Sequence, residues 1–77
     1  MNRINLSKTQ LELFLKLMKN QKIIFKVDNN IILIDNINKD KVVDFLSNYF
    51  VKNCLNKEFE PNQLGVNIEN LLDKFTL

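Results

Sequence analysis

In Lys22-Ile23-Ile24-Phe25-Lys26-Val27-Asp28-Asn29-Asn30-Ile31-Ile32-Leu33-Ile34-Asp35, two short β-branched runs flank three residues that tolerate a left-handed backbone. Lys22 to Val27 and Ile31 to Asp35 read as strands, and Asp28-Asn29-Asn30 supplies the residue types of a tight hairpin turn. A two-residue turn would put Ile23, Phe25 and Val27 on one face with Ile32 and Ile34. The other face would then carry Ile24, Ile31 and Leu33, with Lys26 and Asp35 as its polar residues. A three-residue turn would instead group Ile24 with Ile32 and Ile34. Both faces are apolar in either register. A two-stranded hairpin is marginal alone and must lie on something. Helices can cover one face, so the second face and two open edges are expected to need a partner.

The flanking segments are helical. Ser7 and Gln10 have the spacing of a capping box, and Leu6 with Leu11 that of a hydrophobic staple. Leu11, Phe14, Leu15 and Met18 then recur at helical spacing, predicting a helix over Lys8 to Lys19. Leu13 and Leu17 fall outside its main stripe. Either the helix is sandwiched between hairpin and another helix, or these two residues meet a partner. After the hairpin, Asn38 is a suitable N-cap for a second helix carrying Val42, Phe45, Leu46, Tyr49 and Phe50, widened by Val43 and Cys54. That breadth implies a central helix. Asn56 to Glu60 reads as a connection, and Pro61 fits the first turn of a third helix with Leu64, Ile68, Leu71, Leu72 and Phe75 as its stripe. Gly65 inside that stripe implies close packing. The order helix, hairpin, helix, helix (αββαα) is an α+β fold in one compact domain over residues 1–77, possible to extend by dimerisation.

Composition narrows the chemistry. The chain has 77 residues, 45% hydrophobic and 26% charged, with a net charge of +2. Low net charge at that apolar content argues against general disorder. No apolar run exceeds Ile31 to Ile34, far short of the roughly 20 residues that span a bilayer, and no secretory leader is evident. There is no His and a single Cys. The side chain best suited to proton transfer at neutral pH is therefore missing, and neither an internal disulfide nor a thiolate metal cluster can form. A lone Cys fits a reducing compartment, the cytoplasm of a bacterial host. Abundant Asn, Lys and Ile match the codons of an AT-rich genome.

Candidate catalytic and ligand-binding groups are correspondingly thin. Asp40 and Asp44 form an i,i+4 pair on a Lys-bearing helix face, which reads as solvated surface. Asp28-Asn29-Asn30 lacks the central Gly and distal Glu of a Ca²⁺ loop. Cys54 has no His to activate it and lies on an apolar arc, as a core thiol would. Tyr49 reads as core packing rather than as a general acid. The one glycine, Gly65, cannot make a phosphate-cradling loop. No enzyme activity, cofactor or metal is expected.

Two surfaces remain. Leu13, Leu17, Ile24, Ile31 and Leu33 are the candidate protein interface, with an apolar centre of the kind that self-associating or partner-binding proteins show. Lys16, Lys19, Lys22 and Lys26, with Lys8 and Arg3, give the first third a positive excess that could contact a polyanion. Against DNA, Arg3 is the only Arg, and no three- or four-residue turn joins the last two helices as in a helix-turn-helix. The expectation is a small non-enzymatic protein-binding module, such as a phage or mobile-element regulator or inhibitor (anti-defence, immunity or antitoxin type) acting by steric occlusion. A nucleic-acid-binding regulator and a structural homodimer are the alternatives.

Overall fold

Ile32 and Ile34 leave no more than 1% of their surface to solvent, and the chain is built around the strand that carries them. A computed structural model describes residues 1–53 and 63–76. In order, these form β1 (Asn2–Asn5), α1 (Lys8–Met18), β2 (Lys26–Asp28), β3 (Ile31–Ile34), α2 (Asn36–Asn53) and α3 (Gln63–Thr76). The class is α+β, as the pattern predicts, but with a strand at the N-terminus that the hairpin reading lacks. β1 pairs antiparallel with β3, which makes a three-stranded sheet of order β1-β3-β2. One of the two expected open edges is therefore occupied by the chain's own first residues. The period-two pattern Arg3-Ile4-Asn5-Leu6 explains it: Ile4 and Leu6 are buried, and Arg3 and Asn5 are exposed.

The hairpin uses the two-residue turn. Asp28 pairs with Ile31, Val27 with Ile32 and Lys26 with Leu33, and Asn29 takes the left-handed conformation at φ 55°. β2 is shorter than the predicted Lys22 to Val27. In this register the next ladder bond would join Ile24 to Asp35. The Asp35 carbonyl is already taken by the Lys39 N–H at 2.9 Å, the first turn of α2. The Ile24 N–H instead donates to Asn38 Oδ1 at 3.1 Å, and the strand ends there.

The same junction moves the helix cap. Asp35, not Asn38, caps α2: its Oδ1 accepts from the Asn38 N–H at 2.7 Å, so the cap lies three residues earlier than expected. Asn38 becomes a buried residue of the first turn, donating from Nδ2 to both Asp35 oxygens at 3.0 and 3.2 Å. These bonds to the charged carboxylate hold Asp35 below the ordinary aspartate pKa; desolvation opposes them, and Lys41 and the N-terminus add weaker support. Asn2 ties β1 to the same corner, its Nδ2 donating to the Ile34 carbonyl and to Asn36 Oδ1.

All three helices pack on one face of the sheet. The capping box at Ser7 and Gln10 is formed in both directions, at 3.1 and 2.9 Å. α1 then delivers Phe14 and Met18 to the core. Phe14 is fully buried, with its ring edge-on to Phe25 at 5.0 Å and stacked on Phe75 at 5.2 Å. The central helix is α3 rather than α2, since it touches α1, α2 and β1 and buries Gly65, Ile68, Leu71 and Phe75. α2 contributes Val42 and Leu46 fully, while Phe45, Tyr49 and Phe50 stay half-buried at the core margin. Cys54, the Asn56 to Glu60 connection and Pro61 lie outside the described residues.

Candidate interaction surface

The face of the sheet turned away from the helices carries two files of side chains. Residues directly opposite each other in an antiparallel pair point to the same side. Leu33 therefore stands between Arg3 on β1 and Lys26 on β2, and Ile31 between Asn5 and Asp28. The four flanking polar residues are exposed, whereas Ile31 and Leu33 are half-buried. Given ordinary cross-strand spacings of about 4.5 and 5.5 Å, the Arg3 and Lys26 backbones are about 10 Å apart across Leu33. On the inner face Ile4, Ile32 and Ile34 are at most 7% exposed, and Val27 at its β2 margin is the exposed exception at 44%. No described helix covers the outer face.

The five predicted interface residues divide between three places. Ile31 and Leu33 lie together on the outer sheet face. Ile24 precedes β2 and is 77% exposed. Leu13 and Leu17 are half-buried and pack on the margin of the core, so the wide arc of α1 is used mostly within the molecule. Other exposed apolar residues are scattered, among them Ile37, Val51 and Val66.

The predicted polyanion contacts are also separated. Lys16 lines a groove of about 300 Å³ between α1 and α3, with Leu13, Gln10, Glu12, Asn67 and Asn70. Lys19 follows α1 directly, Lys22 lies in the segment before β2, and Lys26 is on the outer sheet face. Lys16 and Lys26 thus stand on opposite sides of the sheet. Asn5 completes the outer face beside Arg3, which the sequence marks only as part of the positive excess, and the hairpin reading places neither of them on the sheet. The signal for them is the alternation of Asn2 to Leu6, too short to count as a strand without its partner β3.

Asp28, Arg3 and Lys26 are exposed, and among the described residues no group of three His, Cys, Asp or Glu is placed to hold a metal. No described helix is long and apolar enough to cross a membrane. No family model matches the chain, and neither the curated proteins nor the solved structures compared with it include a similar one.

Proposed function

We propose that the chain is a non-enzymatic binding module of the bacterial cytoplasm, which docks a protein through the outer face of its sheet and acts by steric occlusion. One observation carries this reading: Leu33 lies between Arg3 and Lys26, and Ile31 between Asn5 and Asp28, both half-buried, on a face that no described helix covers. An apolar centre with a polar rim is the usual anatomy of a protein interface. Arg3 and Lys26 would steer encounter with an acidic surface and make the on-rate depend on salt. The face has no aromatic side chain on which bases could stack, and Asp28 would repel phosphates, which favours a protein over a single-stranded nucleic acid. An AT-rich coding composition and small size are compatible with a regulator or inhibitor from a phage or mobile element.

The test is affinity capture from lysate of the source organism with three baits: the wild type, Leu33→Asp, and Glu69→Lys as a control on the exposed side of α3. Circular dichroism first establishes that all three fold. A protein retained by the wild type and by Glu69→Lys, but lost with Leu33→Asp, supports the reading. The same captured set on all three baits overturns it.

A further inference from the structure

The outer edge of β1 is a feature independent of the sheet face. Leu6 N–H donates to the Asn30 carbonyl at 2.9 Å, so Leu6 and Asn30 are a hydrogen-bonded pair of the β1–β3 ladder. Hydrogen-bonded and non-hydrogen-bonded pairs alternate along an antiparallel ladder. Ile4 and Asn2 therefore direct their backbone groups inward to β3, and Arg3 and Asn5 direct theirs outward. Two peptide N–H and two C=O groups thus lie along an edge that pairs with no described strand. The β2 edge offers less. By the same alternation only Val27 points outward there, within a three-residue strand bounded by Lys26 and Asp28, the short charged form that discourages pairing.

We infer that this edge pairs antiparallel with β1 of a second copy of the chain, about a twofold axis through Ile4. Outward-pointing residues must bond outward-pointing residues, which restricts the symmetric registers. Centring on Arg3 sets two guanidinium side chains directly opposite, a like-charge pair that is unfavourable. Centring on Asn5 pairs Arg3 with Ser7, the N-cap already engaged in its capping box. Centring on Ile4 sets Arg3 opposite Asn5 of the second copy, twice, and forms four backbone hydrogen bonds. The product is a continuous six-stranded sheet with both copies of Leu33 and Ile31 on one surface. A contact of this size belongs to the weak, concentration-dependent class.

Sedimentation velocity of the full chain over a dilution series tests the pairing. The wild type is expected to shift from dimer to monomer on dilution. Asn5→Pro removes an outward N–H while leaving the bonds to β3 intact, and an edge strand tolerates it; it is expected to be monomeric throughout. Two variants keep every backbone donor. Asn5→Glu faces Arg3 of the second copy and should tighten the dimer about threefold to tenfold, and Asn5→Arg should weaken it by a similar factor. A wild type that is monomeric at every concentration overturns the proposal. So does a dimer on which Glu and Arg at position 5 have the same effect, which would place the contact elsewhere.

Discussion

Asn38 is the buried polar side chain of the described residues, and its three side-chain hydrogen bonds, beside a fourth from its backbone N–H, explain why it is there. It links the segment before β2 to the first turn of α2 and leaves no amide atom idle. Asn38→Ala removes three side-chain hydrogen bonds, one to the Ile24 N–H and two to Asp35, and at about 0.5–1.5 kcal/mol net for each of the two partners the loss is about 1–3 kcal/mol. A drop of that size in urea denaturation, with an unchanged denaturant slope, is the expected result. The same cluster sets an acid limb on stability. Asp35 has its pKa lowered in the folded chain. Between its folded and unfolded values the unfolded chain binds more protons, so the contribution is complete above the ordinary aspartate value and disappears as pH falls through the depressed one. Urea midpoints measured from pH 6 downward should fall less steeply in Asp35→Asn than in the wild type.

At the level of elements, the hairpin register rests on a two-residue turn whose first central residue is left-handed. Asn meets this at small cost because its short polar side chain can bond locally, whereas a β-branched residue cannot. Asn29→Gly should leave stability within a few tenths of a kcal/mol of the wild type. Asn29→Ile should lose about 1–2 kcal/mol, read as a lower thermal midpoint. Equal midpoints for the two variants would show that the turn does not hold the register. Other elements follow from short-range signals: the capping box starts α1 where Ser7 and Gln10 predict it, and the stripe of α3 from Ile68 to Phe75 faces the core.

Across the whole molecule, one sheet separates two environments that differ over a single peptide bond. Ile32 is fully buried against the helices, while Leu33 is only half-buried on the opposite side. Ile32→Ala should cost about 2–5 kcal/mol, the range for truncating a packed aliphatic residue. Leu33→Ala, at a site that already meets water, should cost less than half as much. Chemical denaturation of the two variants in parallel checks this, and comparable losses would mean that the outer face is covered after all. An intact fold with Leu33 altered is also what makes that face testable for partner binding.

Spacing along the chain determined the helical stripes, the capping box, the hairpin and the α+β class, because each depends on contacts within a few residues. The two apolar hairpin faces were also legible, since period two does not depend on what covers them. Tertiary structure alone decided that Asn2 to Asn5 joins the sheet, because a four-residue strand has no identity without β3 beside it. It likewise decided where β2 ends. Asp35 can give its carbonyl to the ladder or to Lys39, and packing α2 against the core settles that competition in favour of the helix. The separation of Leu13 and Leu17 from Leu33, and of Lys16 from Lys26, has the same origin. Which of several apolar or charged faces meets water is a property of how the layers stack, and no local pattern encodes it.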